Sequence, residues 1–349
     1  MVKHVVFAIP GDLATPTGGY AYDRRIIAEL RQLGWRVDVL GLGEGFPYPT
    51  VETKRNTGEM LAGVSHDVPV VIDGLAFGVL PEAAEALSDS HCLVGLVHHP
   101  LALETGLVPS KAEDLHISER RALACARQVV ANSETTARGL VSDYGISESR
   151  ITVVVPGCDP AAFARGSNGD GISLICVGSI VPRKGYDVLI AALAMLKDLS
   201  WTLTIAGDDT RDPAAAVKLK SDIARFDLAS RVTVVGAVDN ERLERLYHDA
   251  DGFVLASRYE GYGMAFTEAI ARGLVVVGTS AGAIPEAVPA GAGILVPPDD
   301  VSALAEALRQ LIASPDKRNR LAAAARLAAS QLPTWQQSAL RFERVLEAL

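Results

Sequence analysis

The chain has few cysteines and no pairing that would give them a structural task. Cys92, Cys125, Cys158 and Cys176 are its four in 349 residues. They lie far apart with no Cys-x-x-Cys, which argues against a zinc site and for the reduced thiols of a cytoplasmic protein. Long hydrophobic runs are missing too: nothing approaches the ~18 to 20 apolar residues of a membrane span. The run from Met1 to Pro10 is too short for the core of a signal peptide and is expected to be a first strand. A soluble protein follows, with peripheral membrane contact left open. Positive charge is in deficit, with 33 Lys+Arg against 42 Asp+Glu and a net charge of -9. That balance argues against nucleic acid as a partner and against polybasic docking. There is no short-period repeat and no low-complexity tract. A dinucleotide fingerprint is also lacking. Gly18-Gly19 does not have the G-x-G-x-x-G spacing, and Gly41-Leu42-Gly43-Glu44-Gly45-Phe46 fails it at the last position.

What is present is enough for two cores. With 49% hydrophobic and 21% charged residues, the chain suits two domains of about 150 to 180 residues. Apolar, β-branched runs occur at 4–9, 36–42, 68–72, 92–97, 128–131 and 151–155, and again at 173–177, 202–206, 232–235, 252–256, 274–277 and 293–296. Stretches with helical spacing lie between them, among others 18–33, 111–126, 187–199, 239–249 and 301–313. This alternation predicts an α/β chain with two Rossmann-like parallel-sheet domains. The small, polar segment Ala161–Gly171 reads as a linker, which sets domains at 1–165 and 166–333. The amphipathic segment 334–349, with Trp335, Leu340, Phe342, Val345 and Leu346, is expected to be a terminal helix.

Ligands of open α/β sheets bind beyond the carboxyl ends of the strands, and the most informative stretch lies there. Glu260 and Glu268 stand eight positions apart around Gly261, Tyr262, Gly263, Met264 and Ala265, after one strand run and into an expected helix. A strand that ends in a glycine turn and feeds a helix N-terminus makes an anion site, because free N–H groups and the positive end of the helix dipole point outward. Eight helical residues rise about 12 Å, too far for a retaining glycosidase pair at about 5 Å. The two carboxylates are expected to grip opposite ends of one ligand, anionic in its middle and rich in hydroxyls at its ends.

Six other places follow strands. The loop Pro10–Tyr20 holds Asp12 and the paired Gly18 and Gly19, where the backbone can approach a phosphate or sugar closely; a plain turn is the alternative. His98 and His99 end the fourth strand run, with Glu104 nearby, and Asp73-Gly74 ends the third. Adjacent histidines at a strand end are candidates for ligand or proton chemistry, whereas Asp73 reads more easily as a turn. Gly178 and Ser179 open a turn that carries Arg183 and Lys184, two cations suited to a diphosphate. Gly207-Asp208 and the segment around Val238 follow the next two strands.

The Glu-x7-Glu spacing and its surroundings resemble the retaining glycosyltransferases of family 4, the glycosyl transferases group 1. That resemblance implies the GT-B fold, two Rossmann-like domains facing a central cleft, with an N-terminal acceptor domain and a C-terminal nucleotide-sugar donor domain. It implies that the terminal helix crosses back onto the first domain. The implied activity is a hexosyltransferase moving a sugar from UDP- or GDP-hexose to a glycan, lipid-linked or small-molecule acceptor, with no metal and no cofactor. Catalytic roles fall by resemblance on His98, Glu260, Lys184 and Arg183. Donor binding falls on Gly18, Gly19, Gly178, Ser179, Gly207, Asp208, Val238, Gly261, Tyr262, Gly263, Met264, Ala265 and Glu268, with Glu268 on the ribose and Glu260 on the sugar side. Asp12, Asp73, His99 and Glu104 are weaker acceptor candidates. Two positions depart from the family pattern: Ser179 replaces an arginine, and His99 stands where many relatives have aspartate. A nucleotide-sugar epimerase, another GT-B enzyme and a catalytically silent sugar-nucleotide binding protein are the competing functions.

Overall fold

The computed structural model describes residues 3–167 and 169–349; Met1, Val2 and Asn168, the last within the expected linker, lie outside the described residues. The first sheet contains β1 (His4–Ile9), β2 (Arg36–Gly41), β3 (Val70–Asp73), β4 (Leu93–Val97), β5 (Gln128–Ala131) and β6 (Ile151–Val153), in the order β2-β1-β3-β4-β5-β6. The second contains β7 (Ile172–Val177), β8 (Trp201–Ala206), β9 (Val232–Gly236), β10 (Gly252–Leu255), β11 (Val275–Thr279) and β12 (Gly293–Val296), in the order β12-β11-β10-β7-β8-β9. Every strand pair is parallel. Both are α/β sheets with helical crossovers, the two Rossmann-like parallel-sheet domains that the alternation of strand and helix patterns predicted.

The composition of the strands explains the arrangement. Successive side chains of a strand point to opposite faces, and every residue of β3, β4, β10 and β11 is buried. Both faces are therefore covered, and these strands read as continuous apolar runs without alternation. In each sheet the chain winds to one side of a starting strand and then to the other. The reversal falls between β1 and β3 in the first sheet and between β7 and β10 in the second. Loops at those two points part from each other and leave the usual binding crevice of an open parallel sheet.

The chain divides into two compact units, residues 1–157 with 333–349, and residues 158–332. The boundary therefore precedes the segment whose composition suggested a linker. Three of its residues are tied into the second unit: Ala164 N donates to Arg272 O at 2.8 Å, Arg165 N to His248 O at 2.9 Å, and Ser167 Oγ to Asp251 Oδ2 at 2.7 Å. Small polar residues here serve a hydrogen-bonded strap, and a domain edge at 165/166 is corrected to 157/158.

The terminal helix Trp335–Glu347 starts at a Thr334/Gln337 capping box and belongs to the first unit. Phe342 packs against Phe7 with ring centroids 5.7 Å apart, and Glu343 accepts from Lys3 Nζ at 2.7 Å and Trp35 Nε1 at 2.9 Å. Gly157 is required where the helix begins, since a Cβ there would lie 2.3 Å from Trp335 N. Among the described residues no helix is long and apolar enough to cross a membrane.

Candidate functional site

In the second unit the two loops at the β7/β10 reversal meet through charge. After β7 the chain makes a short 3-10 turn, Pro182–Lys184, that ends on Gly185 with φ 65°. Only glycine fits there: the conformation is left-handed, and a Cβ would lie 2.0 Å from Ala256 O at the end of β10. This close approach brings Arg183 and Lys184 onto the β10 loop. Lys184 Nζ donates to Glu260 Oε1 at 2.6 Å, and Arg183 Nη1 donates to Glu260 Oε2 at 3.2 Å and to Tyr259 O at 2.8 Å. Ser257, fully buried, donates its hydroxyl to the same Oε1 at 2.6 Å, and Thr279 Oγ1 donates to Ser257 O from β11. Arg258 braces the loop pair by a bidentate bond to Asp187 at 2.9 and 3.0 Å and by its N–H to Arg183 O at 2.7 Å.

Glu260 is thus an anchor for two cations in this structure, its oxygens occupied by Lys184, Arg183 and Ser257. It precedes the helix Met264–Ala271, whose N-cap is Gly263 at φ 104°. The helical rise therefore does not measure its separation from Glu268. Burial alone would raise the Glu260 pKa, but Lys184 and Arg183 outweigh it and hold the group at about 2. A carboxylate depressed in the fold adds stability that is complete above its unfolded value near 4.5 and disappears as pH falls through 2. Glu260→Gln is therefore expected to lose about 3 kcal/mol at neutral pH, a difference that shrinks between pH 4.5 and 2. Urea midpoints across that range check it, and a constant difference would remove the ion-pair explanation.

Glu268 lies half-buried on the helix and accepts from Tyr247 OH at 3.2 Å. Burial raises its pKa, opposed by Arg272 and by the Tyr247 hydrogen bond. Arg272 stacks on the Tyr247 ring at 4.4 Å and pairs with Glu244. Gly261, Tyr262 and Gly263 are buried between the two glutamates, while Met264 and Ala265 are half-buried at the helix start. The turn Ser280–Glu286 packs beneath: Ala283 N donates to Glu260 O at 3.0 Å, and a Cβ on Gly282 would lie 2.3 Å from that oxygen. Gly207 lets the β8 loop touch the β7 loop, a Cβ there falling 1.8 Å from Gly178 O. Ser179 O accepts from Val181 N within the β7 turn. Asp208 folds back on Thr210, accepting from its N–H at 2.8 Å and its hydroxyl at 2.7 Å. Val238 is half-buried in the β9 loop.

In the first unit the β1/β3 reversal gathers a second cluster. His98 Nε2 donates to Asp23 Oδ1 at 3.1 Å and lies 3.5 Å from Asp73 Oδ2. Asp73 also caps the turn after β3, accepting from Leu75 N at 2.7 Å. Gly19 leaves room for the imidazole, since a Cβ would lie 3.0 Å from His98 Cδ2. Tyr22 meets the ring edge-on, centroids 5.3 Å apart, and donates its hydroxyl to Val154 O. Burial pulls the His98 pKa down, but Asp23 and Asp73 outweigh it and raise it to about 10. The three groups form the one set among the described residues with metal-ligand spacing.

Asp12 stays apart from this cluster in an exposed turn of its own, accepting from Ala14 N at 2.8 Å. Gly18 follows the helix-capping Thr17 and is exposed. His99 turns from the cluster toward Glu104, 3.6 Å away. Asp23, Ser257, Tyr247 and Arg272 were not among the expected residues. Asp23 had a legible signal: it falls on the buried stripe of helix Gly18–Gln32 with Tyr22, Ile26, Ile27 and Leu30, where a carboxylate needs a partner.

Comparison with known proteins finds a family similarity over the second unit. Residues 159–328 match the family model described as "Glycosyl transferases group 1". A D-inositol 3-phosphate glycosyltransferase of Jonesia denitrificans is 30% identical over 251 residues, 66% of this chain and 59% of that protein. The match thus spans less than two thirds of that curated relative. Among solved structures, sucrose-phosphate synthase of Thermosynechococcus elongatus superposes with a TM-score of 0.84 at 21% identity, over 99% of this chain and 98% of that one. Anabaena Alr3699/HepE in complex with UDP-glucose gives 0.79 at 19% identity, over 99% and 100%. At these identities the structural likeness shows the fold.

Proposed function

We propose, on the premise that residues 159–328 are a glycosyl transferases group 1 domain, that the protein is a retaining hexosyltransferase. It takes a nucleotide-diphosphate sugar such as UDP- or GDP-hexose and passes the hexose to an acceptor hydroxyl without a metal. The observation that carries this is the Arg183–Lys184–Glu260 cluster at the β7/β10 reversal. Two cations held by one carboxylate leave one net positive charge, and the N-terminus of helix Met264–Ala271 adds a second attraction for anions. A diphosphate is the ligand that uses both, and the departing diphosphate is where charge grows in the transition state.

Retention fits a front-face route. The bond from C1 to the β-phosphate oxygen breaks, the acceptor oxygen bonds to C1 on the same face, and the hydroxyl proton passes to the departing phosphate. No protein nucleophile is needed. Glu268 holds the ribose hydroxyls, with Tyr247 orienting its carboxylate. The backbone from Gly261 to Ala265 meets the sugar and β-phosphate, the loops at Gly178, Ser179, Gly207, Asp208 and Val238 bind the donor, and His98 is a further catalytic residue. A UDP-glucose complex of the Anabaena relative supports this class of donor.

A thermal-shift screen of nucleoside diphosphates and their sugars tests the reading, because a ligand of the folded state raises stability by mass action. Glu268→Ala is expected to weaken the best of them by roughly 1.5 to 3 kcal/mol with the fold intact. Calorimetry showing unchanged affinity would remove the ribose role, and no response from any nucleotide would remove the donor reading.

A further inference from the structure

Asp23 is completely enclosed on a helix face otherwise built from Tyr22, Ile26, Ile27 and Leu30, a place where an unpaired carboxylate costs several kcal/mol. Its partner is the same imidazole nitrogen that faces Asp73, at 3.1 and 3.5 Å. Burial raises the Asp23 pKa to about 7 against the pull of His98, with Asp73 adding to the rise; where both carboxylates are ionised, they favour a cationic ring between them. The second nitrogen, Nδ1, is buried with no hydrogen-bond partner among the described residues, and 15% of the side chain is open. A ring protonated at both nitrogens has no lone pair with which to take a proton from a substrate. Tyr22, the remaining titratable group against the ring, keeps its proton, since burial raises its pKa further above the ordinary value.

We propose that Asp23 is a positioning residue: with Asp73 it pins His98 through Nε2, so that His98 serves transfer as a fixed positive charge and not as a base. The part concerning transfer rests on the glycosyltransferase reading; the pinning does not. The proton of a reacting hydroxyl then leaves by another route, in keeping with its passage to the departing phosphate.

Nitrogen-15 NMR of the histidine-labelled full chain tests the pinning without any substrate. His98 is expected to show both ring nitrogens protonated up to about pH 8.5, and Asp23→Asn to bring its titration back toward the ordinary range near about 6.5. A neutral wild-type ring at pH 7.5, or an unchanged titration in the variant, would overturn the proposal. Nucleotide release from UDP-glucose, or from whichever nucleotide sugar the binding screen returns, tests the consequence. Asp23→Asn is expected to lower kcat about tenfold or more with KM for that donor unchanged, and to add a decline above pH 7 that the wild type lacks. A loss with the wild-type pH profile, or one confined to KM, would reduce Asp23 to a structural part. Manganese or zinc binding that disappears in Asp23→Asn would overturn the proposal in favour of a cation site. Should that variant not fold, the wild-type spectrum and Asp23→Glu decide. A wild type that releases no nucleotide would sink the transferase reading while the spectra still judge Asp23.

Discussion

Lys184→Ala is expected to lower turnover by about 10² to 10³-fold, the scale of a lost group that stabilises transition-state charge, while acceptor KM changes little. Lys184 Nζ sits 2.6 Å from Glu260 Oε1 with its side chain 14% exposed. Its charge is therefore held in place before a ligand arrives and costs little reorganisation during reaction. The interaction gains most when the diphosphate departs, so kcat should fall and not merely the affinity for the ground state. Arg183 still pairs with Glu260 in the variant, so the buried carboxylate keeps one cation and the domain should fold. EDTA is expected to leave the wild-type rate unchanged. A strict need for a divalent ion, or a Lys184→Ala enzyme with normal kcat, would mean the cationic role had been misassigned.

His98→Ala is expected to depress transfer by at least about 10²-fold, and His99→Ala by far less. The two neighbours differ in what they touch. His98 is fixed by Asp23 and Asp73 at the β1/β3 reversal, whereas His99 points to Glu104 on a half-exposed turn. Steady-state rates of the purified variants against the same donor check the ranking. Equal losses in both would show that strand-end geometry, and not the buried cluster, matters.

The strands were legible because a parallel strand covered on both faces is apolar along most of its length, as in Val275–Val277 of β11, and such runs stand out between turns. Their order was not, because the pairing of β7 with β10 joins segments far apart in sequence. It is this pairing that brings Arg183 and Lys184 to Glu260. The cations and the glutamate could each be picked out from turn chemistry, yet their mutual engagement could not, since it depends on Gly185 lying against Ala256. Glu260 was accordingly expected on the sugar side without its engagement by Lys184, Arg183 and Ser257 being foreseen. The same limit hid Ser257, a small residue after a strand with no pattern of its own. Asp23 was visible in principle as a charge on an apolar stripe. The strap at 164–167 shows the reverse error, where linker-like composition served local hydrogen bonds to Asp251 and His248.

Anomeric configuration tests the central claim most directly. With an α-linked nucleotide sugar and an acceptor that the enzyme uses, product NMR is expected to show an α-linkage, with one nucleoside diphosphate released per acceptor consumed. A β-linked product would contradict the retaining mechanism, and an epimerised sugar formed without acceptor would contradict the transferase itself.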